Sequence, residues 1–223
     1  MISDYDLVLA AKATYEPKAT PIFECLGSSI RIFQSKINDL NVIAIEGTHN
    51  PLGWALDFFA IAAENHQAID HPALGFLHAG FYAAATLAMP TVKTAIGQEP
   101  YAICGHSLGA AEALLMGGLL IDDGRPPVRI AAFAPPRVGG EQFVNVVKPL
   151  TNAYRYSDDP VPLVPFWTTK FPYKQVPLIE IGETSFDNGF NANSINNYVN
   201  AIENIQLIAK CHKIDNYVNS VPK

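Results

Sequence analysis

An α/β fold with a central, mostly parallel sheet flanked by helices is what this sequence predicts. Two observations carry that expectation. Short apolar runs with strand character alternate with helical runs along nearly the whole chain, the pattern of helices packed on both faces of a parallel sheet. No internal repeat, low-complexity tract or linker divides the 223 residues, so they are expected to form a single domain, 1–223.

The elements follow in order. Ser3 or Asp4 can cap a first helix over 4–12, with Leu7, Val8, Ala10 and Ala11 as its apolar stripe. Residues 30–33 and 42–45 read as strands, and 54–63 as an amphipathic helix. A longer helix is expected over 76–89, stopped by Pro90. The buried strand 101–104 runs directly into a helix over 108–121. Then come a strand at 128–133, a helix at 140–147 and a strand at 152–156. A strand at 176–181 is interrupted by Pro177 and so belongs near an edge. Helices at 193–205 and 212–218 close the pattern, and the proline-rich 160–177 reads as a long loop.

Composition narrows the function. Charged residues are only 16% and hydrophobic ones 49%, which excludes a disordered chain and implies a rather apolar surface. The net charge of −6, with no Lys/Arg cluster, argues against nucleic acid as a partner. Cys25, Cys104 and Cys211 show no CxxC spacing and read as small core thiols, with no metal site. No run reaches the ~20 apolar residues of a transmembrane segment. The acidic opening Asp4-Tyr5-Asp6 does not resemble the positive start of a secretory signal, so a cytoplasmic location is expected unless a leader was removed.

Gly105-His106-Ser107-Leu108-Gly109 is G-x-S-x-G between a strand and a small-residue helix. A sharp turn there strains the serine backbone and exposes its hydroxyl at a helix N-terminus. Unpaired amides and the helix dipole favour developing negative charge at that point, and the Leu108 amide is one oxyanion donor. A serine needs a base, and the base an orienting acid, in the chain order Ser, Asp or Glu, His. Of His49, His66, His71, His78, His106 and His212, His212 alone lies downstream of Ser107. For the acid, Asp158 and Asp159 both follow the strand at 152–156, at the carboxyl end where ligands gather. Asp159, before the rigid Pro160-Val161-Pro162, is chosen, with Asp158 as the near alternative.

These residues resemble the fungal-type triacylglycerol lipases (class-3 lipases) of the α/β-hydrolase superfamily, over most of the chain from Ile43 to His212. Ile45-Glu46-Gly47-Thr48 is similar to the family's strand ending in R-G-T, although Glu46 stands where arginine is usual. Trp54-Ala55-Leu56-Asp57 has the W-x-x-D form, and Leu77-His78-Ala79-Gly80-Phe81 resembles V-H-x-G-F. Ala134-Pro135-Pro136-Arg137-Val138-Gly139 resembles S-P-R-V-G. Asp158-Asp159-Pro160-Val161-Pro162-Leu163-Val164-Pro165 resembles N-D-x-V-P-x-L-P, which favours Asp159, and His212 with Tyr217 echoes a closing H-x-x-Y helix.

The resemblance implies a serine hydrolase of carboxylic esters, acylglycerol lipids first, with Ser107, Asp159 and His212 as its triad. It adds Thr48 to Leu108 as the oxyanion hole, Trp54 and Asp57 as its support, and a lid at about 50–63. His78 is implied to be structural. No metal or organic cofactor is implied; the partner is a small-molecule or lipid ester, with transient contact at a lipid interface. Apolar Leu52, Trp54, Leu56, Phe58 and Phe59 fit a lid face, and Phe166, Trp167 and Phe171 an acyl groove, with ordinary core packing as the alternative for each set. An esterase of small or aromatic (feruloyl-type) esters, and a silent binding protein on a hydrolase scaffold, stand as alternatives.

Overall fold

The computed structural model describes residues 2–25, 30–48, 68–157, 159–165, 172–182 and 211–223. The first helix, α1 (Asp4–Ala13), opens on a full capping box, with Ser3 and Asp6 each accepting from the other's backbone N–H. The strands β1 (Phe23–Cys25), β2 (Ile30–Ile37) and β3 (Leu40–Ile45) form an antiparallel meander. A separate hairpin, β4 (Ala68–His71) and β5 (Gly75–His78), leads into α2 (Ala79–Ile96). Then β6 (Tyr101–His106), α3 (Leu108–Asp122), β7 (Arg129–Phe133), α4 (Glu141–Val147), β8 (Thr151–Tyr156) and β9 (Leu178–Ile181) follow. The last helix, α5, is Ile214–Ser220.

The main sheet has the order β1-β2-β3-β6-β7-β8-β9, and from β3 to β9 every neighbouring pair is parallel. Its central strands are buried on both faces, and their side chains alternate between two cores. Val42, Ala44, Ala102, Cys104, Ala131 and Phe133 face α1 and α5. Ile43, Ile45, Ile103, Ile130 and Ala132 face α2, α3 and α4. The expected layered architecture is therefore present, and β9 is the edge strand that Pro177 announced. Cys104 and Cys211 are buried and Cys25 half-buried.

Three expectations need correction. The segment from Phe76 begins as strand, and the helix starts at Ala79, where the His78 ring Nδ1 caps it by accepting from the Phe81 N–H at 3.3 Å. His78 is thus structural, as the resemblance implied. That helix also runs through Pro90 to Ile96. Proline forfeits a bond to the carbonyl four residues back, here Thr86; Pro90 and Thr86 are both exposed, so water can satisfy that carbonyl. Beyond the proline, Val92 and Ile96 are buried, and each contributes about 1.5–3 kcal/mol towards offsetting the ~3 kcal/mol penalty. Finally, His212 precedes the last helix rather than lying on it, because the helix begins at Ile214 behind Lys213 as its N-cap.

Candidate active site

Strand β6 ends at His106, and Ser107 makes the corner into α3 with φ 58° and ψ −126°. Such a backbone costs a non-glycine residue about 1–3 kcal/mol, and it persists because the surroundings leave no alternative. The Ser107 N–H donates to the Phe133 carbonyl at 2.9 Å, and its own carbonyl accepts from Ala110 and Ala111. A Cβ on Gly105 would collide with the Gly109 carbonyl, and one on Gly109 with the Ile45 carbonyl. Both glycines are therefore demanded by close backbone approach. A serine at a helix N-cap ordinarily turns its hydroxyl onto the helix amides, but here the Ser107 side chain makes no capping bond.

The hydroxyl instead faces His212, with Ser107 Oγ to His212 Nε2 at 2.8 Å. On the other side of the ring, His212 Nδ1 lies 2.8 Å from Asp159 Oδ2. A carboxylate only accepts, so Nδ1 carries the ring proton, and the bare Nε2 accepts from the serine hydroxyl. Asp159 is held from further directions. Tyr217 Oη donates to the same Oδ2 at 2.5 Å, and the Val161 N–H donates to Oδ1 at 3.0 Å. The Tyr156 N–H in turn donates to Tyr217 Oη at 3.1 Å. Burial alone would push the Asp159 carboxyl up. The facing His212, its hydrogen bond, and those of Tyr217 and Val161 outweigh this and hold it below its ordinary value. The Tyr217 phenol is pushed well up by burial and by the Asp159 charge, so it remains a donor.

The loop carrying Asp159 is itself tied down. Arg137 donates to the Val164 and Pro165 carbonyls, and Gln175 Nε2 bridges the carbonyls of Pro135 and Pro162. Ser107, Asp159 and His212 are all buried, at 0%, 0% and 1% exposure. The arrangement can move a proton from an alcohol to an imidazole whose cationic form has a carboxylate beside it.

Leu108 is the first residue of α3, and a helix leaves its first amides outside its own ladder. The end of β3 comes alongside: a Cβ built on Gly47 would stand 3.1 Å from the Ser107 Cβ, with Thr48 next in the chain. Glu46, which replaces the arginine of the R-G-T pattern, is buried and paired with Arg31 Nη1 of β2 at 2.7 Å. Trp54, Asp57, the expected lid at 50–63, Asp158, and the aromatic residues Phe166, Trp167 and Phe171 lie outside the described residues.

The sequence reading missed Tyr15 and passed over His106. His106 is the variable residue of G-x-S-x-G and was set aside as a base because it precedes Ser107. Its ring is buried and stacks on that of His212, with centroids 4.8 Å apart. No pattern marked Tyr15, whose hydroxyl lies 3.0 Å from His106 Nδ1.

A mostly parallel sheet between helical layers, with a strained serine at a strand-to-helix corner, defines an α/β-hydrolase. The family model for lipase (class 3) matches residues 42–169, more than half of the chain, and the chain belongs to that family. It is 35% identical over 130 residues to the secreted mono- and diacylglycerol lipase 1 of Fusarium solani, covering 56% of this chain and 39% of that protein. It is 27% identical over 175 residues to the secreted mono- and diacylglycerol lipase A of Penicillium cyclopium, covering 67% and 56%. The chain thus spans between about two fifths and just over half the length of these curated relatives. Among solved structures, the lipase from Rhizopus microsporus var. chinensis shares the fold at TM-score 0.58 and 24% identity, over 80% of this chain and 72% of that one.

These relatives overturn the cytoplasmic expectation, since both are named as secreted proteins. The physical reason lies in α1. Ser3, Asp4 and Asp6 serve as the cap and acidic first turn of a helix packed on the sheet, so their charge reports local folding rather than location. Among the described residues, no helix is long and apolar enough to cross a membrane.

Proposed function

We propose that this chain is a serine hydrolase of carboxylic esters, acting on acylglycerol lipids through an acyl-enzyme on Ser107. The observation that carries the reading is the unbroken contact from Ser107 Oγ to His212 Nε2 and from His212 Nδ1 to Asp159, each 2.8 Å. His212 takes the hydroxyl proton as Ser107 attacks the ester carbonyl. Asp159 keeps the imidazole in the tautomer that accepts at Nε2 and stabilises its cation. The amides of Leu108 and Thr48 stabilise the tetrahedral oxyanion, each worth about 3–4 kcal/mol. His212 then protonates the departing alcohol and activates the water that releases the acid.

The lipid side of the proposal is supported by family membership and by relatives named mono- and diacylglycerol lipases. The burial of Ser107 supports a movable cover, the role read for 50–63 with Trp54 and Asp57. We read the whole chain, 1–223, as one such domain, working outside the cell as its relatives' names suggest. Two measurements test the proposal. Ser107→Ala and His212→Ala should each lower kcat by about 10⁴-fold or more on p-nitrophenyl esters. Long-chain acylglycerols presented as an emulsion should be cleaved faster than short soluble esters. Preference for short or aromatic esters would make the chain an esterase, and full activity in Ser107→Ala would refute the reading.

A further inference from the structure

Beneath His212 lies a second hydrogen-bonded chain that the proposed reaction does not use. His106 Nε2 faces the backbone carbonyl of His212 at 3.0 Å. A carbonyl cannot donate, so this nitrogen carries the His106 proton. Burial, and then the neighbouring His212, push His106 down to about 3, so the ring is neutral and its Nδ1 is bare. That Nδ1 accepts from Tyr15 Oη at 3.0 Å, and Tyr15 Oη accepts the Gly47 N–H at 3.0 Å. The Tyr15 phenol is raised by burial and keeps its proton.

The chain therefore runs in one direction: Gly47 N–H to Tyr15 O–H, to His106 Nδ1, and from His106 Nε2–H to the His212 carbonyl. Each proton is assigned by its neighbour. Three aromatic rings hold His106 in place: His212 stacked on it, and Tyr15 and Tyr217 edge-on with centroids at 6.0 and 5.6 Å. The linked segments are far apart in sequence, and two of them matter to the proposed chemistry. Gly47 precedes Thr48, read as an oxyanion donor, and His212 is read as the base.

We infer that Tyr15 and His106 are positioning residues, which hold the His212 backbone and the Gly47–Thr48 peptide in one register through this chain. The inference rests on the hydrolase reading. Without the Tyr15 proton, the His106 ring can take the other tautomer, and Nε2 then turns a lone pair towards the His212 carbonyl. The imidazole above it shifts relative to Ser107 Oγ, and the reaction slows without any loss of a group that touches the ester.

The test uses the whole chain as wild type, Tyr15→Phe, His106→Leu and His106→Gln, with kcat and KM measured on p-nitrophenyl butyrate. Rates are normalised to the Ser107 that a fluorophosphonate titrates, so that misfolded protein does not count. The glutamine amide can place an N–H near the position of Nε2. Tyr15→Phe should lower kcat about 3- to 10-fold with KM nearly unchanged, the loss of one hydrogen bond. His106→Leu should lose more, and His106→Gln should recover most of that loss. Unchanged kcat in Tyr15→Phe, or equal kcat in the two His106 variants, would overturn the inference and leave the hydrolase reading standing. A wild-type chain that neither hydrolyses the ester nor takes the label would overturn both.

Discussion

Ser107 and His106 are adjacent, and their side chains go opposite ways in function. The serine hydroxyl is turned from its capping duty towards His212, while the His106 ring is locked neutral under the same histidine. A buried neutral histidine has a consequence for stability. Its folded value of about 3 lies below the ordinary 6.5, so between those values the unfolded chain takes up a proton that the folded chain refuses. Stability should therefore fall as the pH drops through that window, by up to about 1.4 kcal/mol per pH unit from this residue. Glu112 acts in the opposite sense. It is buried on α3, its Oε2 has no hydrogen-bond partner among the described residues, and burial raises its carboxyl well above the ordinary 4.5. The unfolded chain loses that proton first, so this residue's contribution to stability falls as the pH rises above about 4.5. Urea unfolding at pH 4, 6 and 8 should show His106→Gln flattening the acid side. Glu112→Met should gain about 1–3 kcal/mol at pH 8 and less at pH 4.

Elements were legible where one pattern dominated. The capped start of α1, the doubly buried β6 and the small-residue α3 follow directly from Ser3, from 101–104 and from the Ala/Gly run after Ser107. Pro90 misled because a proline reads as a stop, whereas the tertiary contacts of Val92 and Ile96 carry α2 past it. Replacing it restores an N–H for the Thr86 carbonyl and relieves the ring's crowding of that turn. Pro90→Ala should therefore raise the thermal midpoint, by about 2–4 °C for each kcal/mol recovered, as followed by calorimetry. A drop in the midpoint would mean that the helix is built around the proline. The short hairpin β4–β5 and strand β1 escaped the reading for another reason. Strand β1 has only three residues, and the half-buried pattern of 68–71 carries little contrast between its two faces.

At the scale of the whole molecule, the site is assembled at the carboxyl ends of parallel strands. Ser107 follows β6, Asp159 follows β8, and the Gly47–Thr48 peptide follows β3. Chain order after Ser107 singled out His212 among the histidines, whereas Asp159 was preferred to Asp158 on the rigid Pro160-Val161-Pro162 that follows it and on the family resemblance. Neither signal could reveal the chain through Tyr15, because 91 residues separate that tyrosine from His106 and only the packing of α1 against the sheet brings them together. A corner that strains one serine, supported by a tied-down carboxylate loop, is a costly arrangement unless that alcohol reacts. The most direct measurement is mass spectrometry of the intact chain and its peptides after exposure to a fluorophosphonate. The account predicts one adduct per chain, on Ser107, lost in Ser107→Ala and slowed by orders of magnitude in His212→Ala. A wild-type chain that stays unlabelled, or that carries the adduct on another residue, would contradict it.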